Sequence, residues 1–302
     1  RPDASLTAID GREMAPAAAT RDMFIRNGKA DTSLSQTGPL ASAVPGAVAA
    51  YEYAVQHYGK RKLCDLILPA AEIADKGFPL DADYARCVER AADRLGRFES
   101  SRAIFFRNGK PLGRGDTFKQ PDLAATYRGI AARGSDWFYR GPFAQAVGRW
   151  MKDNGGIMTA EDFRNYKICL REPLLSSYRG YTIVGFPPPS SGGVHVAQIL
   201  NMLETFDLKS LDEATRLHVT AEAMKLAFAD RAYWLGDPDF VKVPRGLMSR
   251  DYAVSLARAI NPQRANQNVS RGTPPDWQTD VFKKHTTHWS VADAEGNWVA
   301  CT

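Results

Sequence analysis

Lys284-His285-Thr286-Thr287-His288-Trp289-Ser290-Val291-Ala292-Asp293 is the stretch on which the reading of this chain turns. Residues 288–292 read as a β-strand, because tryptophan and valine suit a pleated, half-buried surface. Asp293-Ala294-Glu295-Gly296 follows as a turn and 298–301 as a returning strand, which makes a hairpin. Two threonines ahead of a strand carry no chemistry by themselves, since threonine is a common strand residue. His285 and His288 invite a metal reading. Neighbours alternate faces on a strand, however, so these two point to opposite sides. No nearby Asp or Glu completes a ligand set at metal spacing.

Working outward, the texture upstream is helical. Val44-Pro45-Gly46 opens a helix in which Val48, Tyr51, Val55 and Tyr58 recur at helical spacing and which Gly59 closes. A second helix is expected over Leu63–Lys76, stopped by Gly77, with Pro69 marking a kink or a new helix start. Further helices are expected over 81–95, 121–134 and 142–153, and Thr159-Ala160-Glu161-Asp162 reads as a capping box. Residues 6–10, 174–175 and 181–184 read as strands, the last two joined by a turn at Arg179-Gly180. Pro187 to Gly193 reads as a rigid loop leading into a helix over 194–206, and a long helix is expected over 212–234. Residues 260–280 are polar and contain proline and glycine, which predicts a surface loop. Helices first and a hairpin last is not the alternation of a doubly wound sheet. The pattern predicts an α+β fold with a sheet buried under helices.

The bulk composition narrows the function without choosing one. The chain has 302 residues, 44% of them hydrophobic and 24% charged, which is ordinary for a globular protein. Lys plus Arg number 39 and Asp plus Glu 34, a formal net charge of +5. The excess is dispersed and no run of basic residues forms, so a nucleic-acid footprint is unsupported. No apolar stretch is long enough for a membrane span. No signal peptide is visible, and residues 6–10 already read as entering a folded domain, so the chain is read as starting mid-protein. Cys64, Cys87, Cys169 and Cys301 form no CxxC pair, and their apolar sequence neighbours predict buried thiols rather than disulfides.

Five segments in order give these elements a context. They are Asp10-Gly11-Arg12-Glu13-Met14-Ala15-Pro16 with Ala19-Thr20-Arg21-Asp22-Met23-Phe24, and Ser42-Ala43-Val44-Pro45-Gly46-Ala47-Val48. Then come Tyr178-Arg179-Gly180-Tyr181 leading to Pro187-Pro188-Pro189-Ser190-Ser191-Gly192-Gly193, and Ala229-Asp230-Arg231-Ala232 leading to Leu235-Gly236-Asp237-Pro238-Asp239-Phe240-Val241. The fifth is the opening stretch, Thr286-Thr287-His288-Trp289-Ser290-Val291. Together they resemble the γ-glutamyltransferase (γ-glutamyltranspeptidase, glutathione hydrolase) family of N-terminal-nucleophile hydrolases, from Leu6 to Thr302.

The resemblance implies an αββα sandwich, here truncated at both ends. Residues 1–285 would be part of a large subunit and 286–302 the start of a small one. It implies self-cleavage between His285 and Thr286, after which Thr286 is both nucleophile and N-terminus. A free α-amine has a pKa near 7.7–8.0, so it can serve as the base beside its own hydroxyl. A threonine's stiff χ1 also helps to aim that hydroxyl. Arg12 would bind the α-carboxylate of the γ-glutamyl group, a task that suits a bidentate guanidinium. Read without the family, Arg12 makes a salt bridge with Asp10 or Glu13. The substrates implied are glutathione and related γ-glutamyl amides, with water, an amino acid or a peptide amine as acceptor. No cofactor or metal is implied, and the location implied is periplasmic or secreted.

Other residues receive structural roles. Pro187 to Gly193 lacks the spacing of a serine-nucleophile or phosphate loop and reads as a strand-to-helix turn whose glycines allow close packing. Asp230, Asp237 and Asp239 are expected in caps, turns and ion pairs, and His195 and His218 as packed helical residues. The oxyanion-hole glycines and the rest of the glutamyl pocket belong, by the resemblance, beyond Thr302, so this chain alone is expected to be inactive. Two alternatives stay open: a cephalosporin or glutaryl acylase of the same family, and a non-catalytic family fragment.

Overall fold

The computed structural model describes residues 5–275 and 289–301. It comprises two compact units, Ile9–Cys169 and a second made of Arg1–Ala8 with Leu170–Thr302.

The helices of the first unit include α1 (Ala47–Tyr58), α2 (Leu63–Lys76), α3 (Ala82–Leu95), α4 (Pro121–Arg133), α5 (Ser135–Tyr139), α6 (Pro142–Asp153) and α7 (Ala160–Asn165). Their ends follow capping chemistry. Asp81 accepts the Tyr84 N–H at 2.7 Å to start α3, and Gly77 ends α2 with φ 77°, a conformation that glycine adopts freely. α2 runs on through Pro69, which therefore starts no new helix. The turn that the proline weakens is held by packing along α4. The Gln120 N–H donates to the Ala74 carbonyl at 2.8 Å and Arg128 pairs with Asp75 at 2.6 Å. The core of the unit is Val44, Ile130, Phe138, Met151, Phe163 and Tyr166. Phe138 stacks on Phe143 with ring centres 4.1 Å apart. Helix α5 falls between the helices expected over 121–134 and 142–153. It is a single short turn between Gly134 and Gly141, and it carries Phe138 and Tyr139 into the core.

In the second unit, strands β1 (Leu174–Tyr178) and β2 (Tyr181–Gly185) pair antiparallel, with Tyr178 opposite Tyr181 and Leu174 opposite Gly185. Arg179 and Gly180 have φ of 49° and 86°, the positive pair that a two-residue hairpin turn requires. Helices α8 (Ser191–Leu203), α9 (Glu213–Trp234) and α10 (Arg250–Ala257) enclose the core of Val194, Met202, Val219, Ala223, Leu226, Leu247 and Ala253. Strands β3 (Trp289–Ala292) and β4 (Trp298–Cys301) form the expected hairpin around Gly296. Asp293 closes that turn by accepting the N–H groups of Glu295 and Asn297 at 3.0 and 2.9 Å.

Two readings are corrected. Helix α8 begins at Ser191, ahead of the expected Val194, because Ser190 caps it and Gly192-Gly193 lie inside its first turn. The thiols form no disulfides, but they are not buried: Cys87 and Cys169 are exposed, and Cys64 and Cys301 are half-buried. Apolar sequence neighbours do not bury a residue when side chains alternate or rotate to opposite faces.

Gly193 lies so close to the Phe186 carbonyl and to Gly185 that a Cβ there would overlap backbone, whereas a Cβ on Gly192 would meet only Ser190 Oγ at 3.5 Å. Gly193→Ala should therefore lower stability by about 1–3 kcal/mol in urea denaturation, and Gly192→Ala should be neutral or slightly stabilising.

Candidate active site

Arg12 lies in the segment between Asp10 and the isolated bridge of Met14 with Val44. Its backbone is fixed from several sides. Its N–H donates to Asp10 Oδ1 at 3.1 Å, and its carbonyl accepts the Tyr166 hydroxyl at 2.7 Å. Met14 and Val44 exchange two backbone hydrogen bonds of 3.0 and 2.8 Å just beyond it. The Arg12 side chain is 23% exposed, and its Nε lies 3.9 Å from Glu13 Oε1. The ion pair with Glu13 considered from the sequence is therefore present, but it is long and its carboxylate is half exposed, a geometry worth little.

The hydroxyl that holds Arg12 reaches it through a fitted passage. The Tyr166 ring lies parallel to that of Tyr139, with centres 5.4 Å apart and planes 10° apart. The Tyr139 hydroxyl donates to the Pro45 carbonyl at 2.8 Å and accepts the Ala49 N–H at 3.2 Å, in the first turn of α1. A Cβ at Gly46 would overlap both the Tyr166 hydroxyl and the Gly11 carbonyl. Gly46 is thus needed for close approach. The expected Val-Pro-Gly helix opening is present, and it also leaves room beside the arginine.

Helix α7 grips the same loop a second time. Thr159 and Asp162 form the expected capping box, and Asp162 Oδ1 also accepts the Ala17 N–H at 2.7 Å. Partial burial opposes the charge on Asp162, but the bonds from Ala17 and Thr159 outweigh it and hold the carboxyl below its usual range. Sequence reasoning found the box and missed the grip. The available signal was Tyr166, four residues beyond Asp162 and so on the same side of the helical turn.

Thr286 and His285, the expected nucleophile and cleavage site, lie outside the described residues, as do Thr287 and His288. Among the described residues no cluster of three or more His, Cys, Asp and Glu could hold a metal ion.

Asp230 differs from its expected role. It is fully buried on α9 rather than set in a cap or surface ion pair. Its Oδ2 accepts Gln198 Nε2 at 2.6 Å and the Tyr252 hydroxyl at 2.7 Å, and its Oδ1 accepts the Gly272 N–H at 2.7 Å. Burial, then the bond to Asp230, pushes the Tyr252 phenol well up, so it stays a donor. His195, 3.0 Å from Gln198 through Nδ1, is packed as expected. His218 lies 2.9 Å from the Asn261 carbonyl. Asp237 does make the predicted turn, accepting the Asp239 N–H at 3.0 Å.

Helix-rich segments leading to short antiparallel hairpins place the chain in the α+β class of N-terminal-nucleophile hydrolases, the fold of its structural neighbours. The family model described as gamma-glutamyltranspeptidase matches residues 1–302, and the chain belongs to that family. It is 44% identical over 301 residues to the glutathione hydrolase proenzyme of Escherichia coli, covering 98% of this chain and 52% of the relative. It is 39% identical over 313 residues to the acylase ACY 1 proenzyme of a Pseudomonas species, covering 99% and 54%. The crystal structure of Helicobacter pylori γ-glutamyltranspeptidase superposes with a TM-score of 0.84 at 40% identity, over 88% of this chain and 78% of that one. The chain spans about half the length of the curated relatives it matches.

Two predictions follow from these contacts. Burial, ahead of a small opposing bond from Ala49, pushes the Tyr139 phenol up from 10.0 to about 12. The folded state then holds this proton more tightly than the unfolded chain, so the contribution is intact below pH 10 and is lost as pH rises toward 12. Denaturation across that range should show the loss, and Tyr139→Phe should flatten it. Asp230→Ala strands three buried donors and should cost about 3 kcal/mol or more in urea denaturation, whereas Asp237→Ala should cost under about 1 kcal/mol.

Proposed function

We propose that the protein is a γ-glutamyl hydrolase and transferase acting on glutathione and related amides after self-cleavage between His285 and Thr286. The observation that carries this reading is the 44% identity, over 98% of this chain, to a relative whose name gives both the substrate and the precursor state. The fixed backbone of Arg12 supports it. Residues 1–285 would contribute to the large subunit and 286–302 would begin the small one.

In the maturation step the Thr286 hydroxyl adds to the His285 carbonyl, and the peptide C–N bond breaks to give an ester and a free α-amine. Water then cleaves the ester, leaving a carboxylate on His285 and the hydroxyl on Thr286. In turnover the α-amine takes the hydroxyl proton as Oγ1 attacks the γ-glutamyl carbonyl, and the leaving amine departs protonated. Water or an amino-acid or peptide amine then takes the acyl group from the threonyl ester. Arg12 grips the α-carboxylate of the glutamyl group as a fork. Each of these steps is served by side chains and an N-terminal amine, so no cofactor enters.

A second reading, an acylase using the same nucleophile on another acyl group, is favoured by the 39% identity to an acylase proenzyme. Both readings place the protein in the periplasm or outside the cell, where the resemblance puts such enzymes. Among the described residues no helix is long and apolar enough to cross a membrane.

Protein expressed from the complete reading frame should resolve into two chains on a denaturing gel, the smaller beginning Thr286-Thr287-His288-Trp289. Thr286→Ala should stay uncut while remaining folded. An uncut, folded wild type would count against Thr286 as nucleophile.

A further inference from the structure

Arg12 stands on a loop with no secondary structure of its own between Gly11 and Glu13, yet a carboxylate-gripping guanidinium loses strength steeply when its base shifts by an ångström. Something must hold the loop from outside. Two contacts from one short element do so, both within the Ile9–Cys169 unit. The Tyr166 hydroxyl donates to the Arg12 carbonyl at 2.7 Å. Five residues further along the loop, the Ala17 N–H donates to Asp162 Oδ1 at 2.7 Å. Tyr166 and Asp162 lie at the two ends of the same helical turn, which the Thr159 capping box stiffens.

We propose that the α7 turn is a clamp that aims Arg12, with Tyr166 and Asp162 as positioning residues for recognition of the substrate's α-carboxylate. This rests on the reading of Arg12 given above and adds to it residues that act through the Arg12 loop. The design has a clear division. The backbone of Arg12 is bonded at its carbonyl by Tyr166 and at its N–H by Asp10, so the side chain can reach outward without moving its root. Tyr166 in turn cannot swing away. Its ring lies against Tyr139, and Gly46 leaves a slot only as wide as its hydroxyl. Tyr139 is locked to the Pro45 carbonyl and the Ala49 N–H, so the start of α1 belongs to the same support.

A merely structural Tyr166 and a positioning Tyr166 predict different kinetics. Loss of structure lowers active enzyme and affects every substrate alike. Loss of aim affects only substrates that carry the α-carboxylate, and it acts on KM rather than kcat. The test uses the full-length, self-processed enzyme and two anilides. One is γ-glutamyl p-nitroanilide, and the other is 4-aminobutanoyl p-nitroanilide, which lacks the α-carboxylate. Tyr166→Phe keeps the stacked ring and deletes only the hydroxyl. It should mature like wild type, keep kcat within about twofold, and raise KM for the γ-glutamyl substrate by about threefold to tenfold. The ratio of kcat/KM between the two anilides should fall by the same factor.

Ala17→Pro provides an independent variant should Tyr166→Phe not fold. Ala17 follows Pro16 in the turn closed by the Ala19 N–H on the Pro16 carbonyl, at the position where proline is favoured. The substitution removes the N–H that Asp162 accepts and sets the ring Cδ in its place, so the Asp162 carboxylate must turn away from the loop, and the ratio should shift in the same direction. If a folded Tyr166→Phe or Ala17→Pro enzyme keeps the wild-type ratio, or loses rate equally on both anilides, the clamp is overturned. Arg12→Lys separates the two levels. If it abolishes the ratio while the clamp variants do not change it, the clamp fails and the reading of Arg12 stands. If Arg12→Lys itself leaves the ratio unchanged, the reading of Arg12 fails.

Discussion

The bond from the Tyr166 hydroxyl to the Arg12 carbonyl sets the terms for the Ile9–Cys169 unit. A partly buried backbone carbonyl calls for a donor. Supplying that donor from a side chain more than a hundred residues away in sequence demands a dense set of close approaches. Gly46 must lack a Cβ, Gly11 must pass against Ala50 on α1, and the two tyrosine rings must lie parallel. Val44, Phe138 and Phe163 then pack around the stacked pair. Burial pushes both phenols upward, which keeps their protons in place for donation over the whole neutral range.

The second unit is organised on the opposite principle, around an acceptor. Asp230 lies on the buried stripe of α9 with Val219, Ala223, Leu226 and Ala227. A carboxylate there is tolerated only because three donors converge on it. One of the three is the backbone of Gly272, and the Trp234 indole N–H donates back to the Gly272 carbonyl at 3.1 Å. Lys225 and Glu222 bind Asn266 in a similar way, at 2.6 and 3.2 Å. The polar segment expected over 260–280 therefore follows α9 as a tethered chain across its described residues.

What was legible in the sequence is what short-range rules decide. The Arg179-Gly180 turn, the capping box at Thr159 and the glycine stop after α2 each depend on a few adjacent residues, and each is present. The family was legible from motifs in order, and the match over residues 1–302 agrees with it. The misses share a cause as well. Tyr166 and Arg12 are far apart in sequence, and no local pattern announces that they meet. Asp230 was read by its residue type, although its spacing from Val219 and Ala223 put it on the apolar face. The cysteines were read from their neighbours, and the start of α8 was hidden because two glycines look like loop until the cap and the close approach to Phe186 are seen.

The proposed chemistry of the site depends on what Arg12 grips. The most direct measurement is a crystal structure of the self-processed, full-length enzyme with glutamate bound. The predicted result is the Arg12 guanidinium in a two-pronged contact with the α-carboxylate, at about 2.8 Å, with the Tyr166 hydroxyl still on the Arg12 carbonyl and the Thr286 hydroxyl facing the γ-carboxyl. A glutamate bound through other cations, with Arg12 left on Glu13, would contradict it.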